Sequence, residues 1–599
     1  MRTQTPTLPL AFALSALLVA TPVAAQQGTP SASKTASDLH GLWAAKLRYG
    51  PDIRGTLTIV HEGKAWRGII AGYDAPVSAT GDRLTFALPS EQGDFRGHLS
   101  SNRKAIEGFW LQSRMMTNGS RFESPCRLER VGSGEMWRGR IDPLDDEFTM
   151  YLRVVPLADG SVRAFLKNPE RNIGWFTRVA FLERSGDKVQ LLGEPDKDGK
   201  KEKLSEGTFD PAGNMLSIPL RGGTYDFSLV NDSTAIDYYP RSFPGVGKDY
   251  VYREPVALND GWPVATPEAV GMSREALQKL VRTCIDMPID SVQSLELHGV
   301  LVARHGKLVL EEYFHGESRD KPHDTRSAAK IVADVLAGAA MQSGVRLSSQ
   351  SKVYEVMNGG AMPAGLEPRK QALTLEHLLT MSSGLDMDDN DDNSKGAEDR
   401  VSESGVKDVW KFTLALDTVR DPGTSARYAS LSPNLVGGMI RQASGRPLTD
   451  LFHDLLAKPM QIDRFWFGLM GNGEPYMGGG MRFLPRDFMK FGQLMLDEGT
   501  WKGRRILPKA WVERSSSSLV DMNGTKRMYG YLWWITDSPY QGRRIQGYAA
   551  LGNGGQNVIV IPELDMVVAF YCGNYAEKAM NKPIRHIMPE LIFPAVTGK

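Results

Sequence analysis

The sequence contains few of the residues from which disulfide frameworks and thiolate sites are built. Among 599 residues there are three cysteines, Cys126, Cys284 and Cys572. An odd count excludes a complete disulfide framework, and no Cys-x-x-Cys pair is present to indicate a zinc or redox site. We therefore expect buried thiols, while a bridge between Cys284 and Cys572 is left open by the sequence.

Other absences exclude several classes of function. The formal net charge is +1, so no excess of basic residues indicates nucleic-acid binding. The chain has no Gly-x-x-x-x-Gly-Lys-Ser/Thr phosphate loop, no His-Glu-x-x-His metal helix and no Gly-x-Ser-x-Gly nucleophile elbow. We expect a protein without a cofactor, without a catalytic metal and without a nucleic-acid partner.

The sequence also lacks a hydrophobic run that is long enough to span a membrane. Arg2 precedes an apolar run over residues 8–20, and the small residues up to Ala25 come after it, which is typical of a secretory signal peptide cleaved after Ala25. The run is shorter than the roughly 20 residues that a membrane-spanning helix needs. We expect residues 1–25 to be a signal peptide, residues 26–38 to be a disordered linker, and the protein to be periplasmic or secreted, without a membrane span.

The region after this linker is predicted to be all-β. Short alternating runs, such as residues 56–60 and 150–154, are separated by turn clusters. The region looks duplicated, because Leu42-Trp43 is echoed by Met136-Trp137 and residues 81–84 by residues 186–189. We predict two barrel-like or sandwich-like units, residues 39–131 and 132–254. A single large β-sandwich is the alternative.

After a linker at residues 255–263, the predicted secondary structure changes from all-β to a mixture of helices and strands. A helix is predicted over residues 273–283, then a hairpin of residues 300–304 and 308–310, then further helices, and strands again near the C-terminus. This order predicts an α+β domain over residues 264–599, with a mostly antiparallel sheet flanked by helices.

The most informative stretch of that domain is Thr325-Arg326-Ser327-Ala328-Ala329-Lys330. Apolar residues come after it at the spacing of a buried helix, with Thr325 placed to cap the first turn and Gly344 to end the last one. Ser327 would then lie among the free N–H groups of the first turn, with Lys330 on the same face. Ser-x-x-Lys occurs at six other positions, so the spacing matters only together with this helix and the downstream motifs.

Two downstream motifs complete the pattern. Residues 427–430, which include Tyr428 and Ser430, precede a helix that Ser432 is predicted to cap, and Gly552-Asn553-Gly554-Gly555-Gln556 opens a hairpin. With Ser327-x-x-Lys330, these stretches resemble the three motifs of the serine β-lactamase and penicillin-binding superfamily, in its class C, DD-peptidase and esterase branch. Residues 373–385, 478–481 and 529–531 also agree, so the resemblance covers about residues 265–599.

The resemblance implies a role for each motif residue. Ser327 would attack a carbonyl carbon, Lys330 and Tyr428 would share the acid and base roles, and the backbone N–H groups of Ser327 and Gln556 would form the oxyanion hole. A lysine accepts a proton only when it is neutral, so we expect the site to lower the pKa of Lys330. The residues expected to bind substrate are Ser430, Asn553, Gly554 and Gly555.

Two departures from the family pattern bear on the substrate. Asn553 stands where the family has a lysine, and an amide cannot pair with a substrate carboxylate as a cation does. Ser430 stands where class C enzymes have an asparagine. Arg326 or Arg427 could replace the missing charge. These changes favour an uncharged ester or amide, as in the superfamily's esterases and in amide hydrolases that resemble 6-aminohexanoate-dimer hydrolase.

The sequence therefore predicts an exported serine hydrolase that acts on a small ester, amide or peptide-like substrate. One alternative is a β-lactamase or DD-peptidase acting on cell-wall-type substrates. Another, from a different class, is a non-catalytic ligand-binding protein or sensor built on a hydrolase fold.

Overall fold

The computed structural model describes residues 36–170, 178–220, 223–233, 235, 237–241, 246–291 and 293–598. The predicted signal peptide and most of the predicted linker at residues 26–38 lie outside the described residues. Within them, no helix is both long and apolar enough to cross a membrane. The three cysteines are buried free thiols, so Cys284 and Cys572 form no bridge here.

The N-terminal region is all-β, as predicted. Seventeen strands are described in it, in chain order: β1 (Gly41–Gly50), β2 (Gly55–Glu62), β3 (Ala65–Ile70), β4 (Tyr73–Pro76), β5 (Ser78–Thr80), β6 (Arg83–Ala87), β7 (Gly93–Leu99), β8 (Ala105–Gln112), β9 (Phe122–Arg130), β10 (Met136–Ile141), β11 (Asp146–Pro156), β12 (Val162–Lys167), β13 (Phe181–Ser185), β14 (Lys188–Pro195), β15 (Lys201–Asp210), β16 (Met215–Leu220) and β17 (Gly223–Val230).

These strands form two sheets with separate cores. Strand β1 pairs with both β11 and β17, which closes β1 and β11–β17 into an eight-stranded antiparallel barrel. Strands β2–β10 form a second sheet in the order β4-β3-β2-β10-β9-β8-β7-β6-β5. Its first and last strands are consecutive in the chain, separated by Val77, so the two edges of this sheet lie beside each other. The alternative of a single large sandwich is therefore wrong.

The strand pairing does not follow the predicted division between residues 131 and 132, because one strand of each predicted unit lies in the other unit. β1 belongs to the barrel that is otherwise built from the second predicted unit. β10, which was expected to open that unit, lies between β2 and β9 in the first sheet. These strands carry the echoed Trp43 and Trp137, which are buried in the barrel core and in the sheet core respectively. The two opening strands are alike in sequence, and each lies in the unit that is otherwise built from the other predicted half. This arrangement resembles a domain swap within one chain.

The C-terminal domain has the predicted α+β fold. Its strands are β18 (Leu297–Arg304), β19 (Lys307–Tyr313), β20 (His323–Asp324), β21 (Phe465–Gly468), β22 (Met481–Phe483), β23 (Thr500–Trp501), β24 (Arg504–Arg505), β25 (Val520–Met522), β26 (Arg527–Tyr529), β27 (Trp534–Tyr540), β28 (Arg543–Gly552), β29 (Gln556–Ile561) and β30 (Met566–Cys572). Eight of them form an antiparallel sheet in the order β19-β18-β30-β29-β28-β27-β26-β25.

Helices pack on both sides of this sheet. The α-helices are α1 (Arg274–Ile285), α2 (Ile331–Gln342), α3 (Val353–Met357), α4 (Pro368–Ala372), α5 (Leu375–Leu379), α6 (Glu398–Glu403), α7 (Val409–Ala415), α8 (Leu431–Ser444), α9 (Leu448–Phe452), α10 (Lys458–Met460), α11 (Pro485–Leu496) and α12 (Lys509–Ser515). The predicted helix at residues 273–283 is α1, which Ser273 caps by accepting a hydrogen bond from the Ala276 N–H at 3.1 Å. The predicted hairpin at residues 300–310 is β18 and β19.

A backbone ladder joins the N-terminal sheet to the C-terminal domain. β9 pairs with β21, β21 pairs with β22, and β22 pairs with β20. β20 ends at Asp324, three residues before Ser327. Hydrogen bonds between strands therefore run from the N-terminal sheet to the segment that leads into Ser327.

A buried polar cluster lies where the barrel meets the C-terminal domain. Lys167 of β12 forms an ion pair with Glu296 at 2.9 Å, with both side chains almost fully buried. Nearby, His298 bonds to the ring of His323 at 2.8 Å and donates its other ring N–H to the Pro169 carbonyl at 2.7 Å. Burial lowers the pKa of both histidines to about 3. Burial also raises the pKa of Glu296 to about 7, against the opposing effect of Lys167.

We predict that this cluster makes the fold sensitive to acid. Between pH 4.5 and 3, the unfolded chain protonates both histidines, whose ordinary pKa is 6.5, while the folded protein keeps them neutral. The unfolded state then binds more protons, so stability falls as the pH falls, by about 1.4 kcal/mol per pH unit for each histidine. Glu296 opposes this only between its ordinary pKa of 4.5 and about 7.

The measurement is urea unfolding at several pH values from 4.5 to 3. His298→Gln should lose stability less steeply than the wild type, whereas the control His586→Gln, at an exposed position, should behave like the wild type. Equal slopes for wild type and His298→Gln would contradict the prediction.

Candidate active site

Ser327 lies in a tight turn at the start of a buried helix. The turn is a 3-10 helix, Arg326–Lys330, which continues directly into α2. Ten of the twelve residues of α2 are buried, so the helix is buried on nearly all sides and not only on the one face that its apolar spacing predicts. The predicted capping role of Thr325 is wrong, because its hydroxyl donates to the Met481 carbonyl at 2.7 Å instead. Thr325 thereby ties this turn to β22. We call residues 326–330 the nucleophile turn, after the role predicted for Ser327.

Lys330 points from this turn into a polar niche. Its ammonium group donates to the Ser327 hydroxyl at 2.9 Å and to the Gly478 carbonyl at 2.6 Å. The glycine run at residues 478–480 packs directly on the turn. A Cβ atom at Gly479 would lie 2.9 Å from the carbonyl carbon of Arg326, and its φ of +148° also favours glycine. The glycine run thus supplies a backbone oxygen to Lys330 at a place where a larger residue would collide with the backbone of the turn.

Tyr428 comes from the segment between α7 and α8 and meets Lys330. The centre of its ring lies 5.0 Å from the Lys330 amine nitrogen. The ring stacks on Trp534 at 5.8 Å, and the backbone N–H donates to the Asn523 side chain at 3.1 Å. One hydroxyl, one amine and one phenol, far apart in the sequence, are therefore brought together in a single site.

Ser430 is placed differently from its expected role. It is buried, and its hydroxyl lies 2.7 Å from the Asp389 carboxylate and 3.0 Å from that of Glu398. Helix α8 begins at Leu431, so the predicted cap Ser432 lies inside it, and Ser430 occupies the position before the helix. Its side chain faces two carboxylates rather than the cleft.

Sequence reasoning missed these two carboxylates. Asp389 accepts from both the N–H and the hydroxyl of Ser430, and its own N–H donates to the Tyr428 carbonyl at 2.8 Å. Glu398 accepts a short hydrogen bond from the Tyr476 hydroxyl. The only sequence signal was the acid-rich stretch at residues 386–399, which has the composition of a solvated loop.

The carboxylates reverse the expectation for the pKa of Lys330. Burial acts to lower it, but Tyr428, Glu398 and Asp389 together outweigh burial, and the pKa of Lys330 lies above its ordinary value. The expected lowering is therefore wrong for the free protein. Lys330 is therefore a cation in the free protein, and it donates to the Ser327 hydroxyl.

The third motif lies against the nucleophile turn. A Cβ atom at Gly552 would be 2.5 Å from the Thr325 carbonyl oxygen and 2.9 Å from the Ala328 nitrogen, so only glycine allows this approach. Asn553 lines the cleft, and its side-chain oxygen accepts from the Ala576 N–H at 2.7 Å. The Gln556 side chain binds the backbone of β30 through the Cys572 carbonyl at 2.6 Å.

Gly554 and Gly555 shape the turn that carries Asn553. Both have left-handed backbones, with φ of +93° and +96°. A Cβ atom at either would lie 2.9 Å from a neighbouring side chain, Tyr575 or Cys572. Their role visible in the structure is therefore to let the turn pack closely on β30 and the segment after it.

The cleft over Ser327 has a volume of about 700 Å³. Among the described residues that line it, the one basic side chain is Arg326, which is paired with Asp324 at 3.3 Å. Arg427 lines a different groove. A smaller cavity of about 300 Å³ lies beside Tyr428 and includes Arg527, whose guanidinium stacks on Trp534 at 4.0 Å. Arg527 is a second cation near the site that sequence reasoning did not identify.

Comparison with known proteins concerns the C-terminal domain. Residues 291–582 match the model of the family described as Beta-lactamase. The 6-aminohexanoate-dimer hydrolase of Paenarthrobacter ureafaciens is 23% identical over 308 residues, which cover 49% of this chain and 73% of that protein. The simvastatin synthase structure of Aspergillus terreus aligns with a TM-score of 0.41 and 16% identity over 55% of this chain and 96% of that one. A penicillin-binding protein of Bacillus halodurans aligns with a TM-score of 0.37 and 15% identity over 47% and 93%.

We predict that Glu398→Gln shifts the pH dependence of Ser327 reactivity. Glu398 is one of the groups that raise the pKa of Lys330. Removing its charge lowers that pKa, so the rising limb of the profile should move down by about one pH unit. The measurement is the rate at which a fluorophosphonate modifies Ser327 between pH 5 and 10. Glu403→Gln, at an exposed position of the same short helix α6, is the matched control. An unshifted limb in Glu398→Gln would show that this carboxylate does not act on the pair.

Proposed function

Because residues 291–582 match the model of the Beta-lactamase family, we propose that this protein is an exported serine hydrolase that cleaves an ester or amide bond through an acyl-Ser327 intermediate. The observation that carries the proposal is the meeting of three groups. The Lys330 amine lies 2.9 Å from the Ser327 hydroxyl and 5.0 Å from the centre of the Tyr428 ring. Export is proposed from the composition of residues 1–25 alone.

The first half of the reaction forms the acyl-enzyme. Ser327 Oγ attacks the carbonyl carbon, and its proton passes to the Lys330–Tyr428 pair. Since Lys330 is a cation in the free protein, Tyr428 is the proposed proton acceptor within the pair. The proton then goes to the departing alcohol or amine as the bond to the carbonyl carbon breaks. In the second half, water gives a proton to the same pair as it attacks the carbonyl carbon of the Ser327 ester. The bond to Ser327 Oγ then breaks, and the pair returns that proton to Ser327 Oγ.

The negative charge on the carbonyl oxygen needs donors in both halves. The backbone N–H groups of Ser327 and Gln556 are the candidates. The close fit of Gly552 against the nucleophile turn supports this pairing, because it holds the start of β29 beside Ser327. Losing one such donor would cost about 3 kcal/mol of transition-state stabilisation.

The cleft favours a substrate without a carboxylate next to the scissile bond. Asn553 brings no charge to the cleft, and Arg326 is already paired with Asp324. A β-lactam or a D-Ala-D-Ala peptide would present such a carboxylate. The curated relative named 6-aminohexanoate-dimer hydrolase supports an esterase or amidase activity. We therefore place an uncharged ester or amide ahead of cell-wall-type substrates.

The test of the proposed function is covalent labelling of the full-length protein. A fluorophosphonate should label the wild type, and Ser327→Ala should abolish the label. Lys330→Ala and Tyr428→Phe should each lower the rate of p-nitrophenyl acetate hydrolysis at least about a hundredfold, the low end for loss of a general acid–base. A wild type that neither labels nor hydrolyses would instead favour the binding-protein alternative.

A second prediction concerns the missing cation. Asn553→Lys should raise turnover of carboxylate-bearing substrates, such as a D-Ala peptide or nitrocefin, relative to p-nitrophenyl acetate. The reason is that an ammonium group in the cleft can pair with the substrate carboxylate. Asn553→Gln, which adds length without charge, is the control. An unchanged ratio in Asn553→Lys would refute the charge argument.

A further inference from the structure

The cleft over Ser327 is not built from the C-terminal domain alone. Four of its lining residues, Asn118, Gly119, Ser120 and Phe122, come from the N-terminal sheet, which lies outside the family match. Phe122 opens β9, and the other three belong to the segment between β8 and β9. We call this segment, residues 113–121, the cleft loop.

The cleft loop is fixed relative to Ser327 by the backbone ladder. Gly468 of β21 pairs with Phe122, and the Leu469 N–H donates to the Arg121 carbonyl at 2.9 Å. The ladder then passes through β22 to β20, which leads into the nucleophile turn. The loop and the nucleophile are therefore attached to one continuous hydrogen-bonded sheet.

The loop also has a defined internal structure. Thr117 donates its hydroxyl to the buried Asp146 at 2.6 Å, and Asp146 accepts the Met116 N–H as well. The Met115 N–H donates to the Ser120 carbonyl at 2.9 Å. Met115 is buried with Phe122 and Trp466, a residue of β21. A loop anchored in this way presents Asn118 and Ser120 to the cleft without first having to be ordered, which is what a binding wall requires.

The rest of the cleft lining comes from the C-terminal domain. Its apolar members include Val406, Val409 and Met470, and its acidic members are Asp324, Glu398 and Asp399. A volume of about 700 Å³ is within the usual range for a ligand site and exceeds the need of a small acyl group. A part of the substrate remote from the scissile bond has space there, and the walls suit an apolar or positively charged group.

We infer that the cleft loop of the N-terminal sheet is a specificity element of the active site, and that it contacts the distal part of an extended substrate. This inference rests on the proposed hydrolase function and adds a role for the N-terminal region. A short substrate does not reach the loop, so its turnover is independent of the loop sequence. An extended substrate lies between the loop and the C-terminal domain, so its turnover depends on the loop.

The test narrows the cleft from the loop side. In the full-length protein, Ser120→Trp fills space at the wall, and Asn118→Trp repeats the change at an exposed neighbouring position. Ser133→Trp is the matched control, because Ser133 lies in the exposed turn at the other end of β9. Two ester series are measured, one with the acyl part lengthened from acetyl to octanoyl on p-nitrophenol, and one with the alcohol part of an acetate lengthened from ethyl to octyl.

The expected result is a loss of kcat/KM for the long member of at least one series, by about tenfold or more in both loop variants, since several apolar contacts are lost at once. The short members and Ser133→Trp should behave like the wild type. An unchanged long-to-short ratio in both series, in loop variants that still hydrolyse the short esters, would overturn the inference. Failure of the wild type to hydrolyse any short ester or to label at Ser327 would overturn the proposed function instead.

Discussion

The active site depends on one buried cation. The Lys330 ammonium group is almost fully removed from water, and it remains charged because Tyr428, Glu398 and Asp389 surround it with negative or potentially negative groups. A buried charge without such compensation would cost several kcal/mol. This ammonium group donates hydrogen bonds to the Ser327 hydroxyl and to the Gly478 carbonyl. The glycine run, the nucleophile turn and the segment carrying Tyr428 are thus all arranged around the same nitrogen atom.

The residues that we propose to perform the chemistry could be predicted from the sequence, because chemistry restricts such residues to few types at short spacings. Ser327 and Lys330 lie three apart on one helix, and Tyr428 lies just before another, so local patterns identified them. The residues that tune the site could not be found in this way. Asp389 and Glu398 act through space on Lys330, and nothing in a run of acidic residues tells which of them will lie near a lysine that is distant in the sequence. The direction of the Lys330 pKa shift depends on these two carboxylates, and the predicted lowering was wrong because they were not identified.

Errors in local structure have the same origin. Thr325 has the composition of a helix cap, but Met481, 156 residues away, offers its hydroxyl a carbonyl oxygen. Ser430 resembles a substrate ligand by its position in the second motif, yet its hydroxyl donates to the half-buried carboxylates of Asp389 and Glu398. In the N-terminal region, the sequence repeat correctly predicted two β units. It could not show that the opening strands are exchanged, because two similar strands satisfy either arrangement equally well in their own hydrophobic pattern.

The exchanged strands have a consequence for how the chain reaches its fold. Gly41 pairs with Val154 and Leu42 with Val230, so β1 is made long before its neighbours exist. During synthesis β2–β10 emerge before β11 and β17, so β1 cannot form its final pairs until residues 146–156 and 223–230 have been made. Such non-local pairing slows folding, and the order in which the strands leave the ribosome limits when the barrel can close.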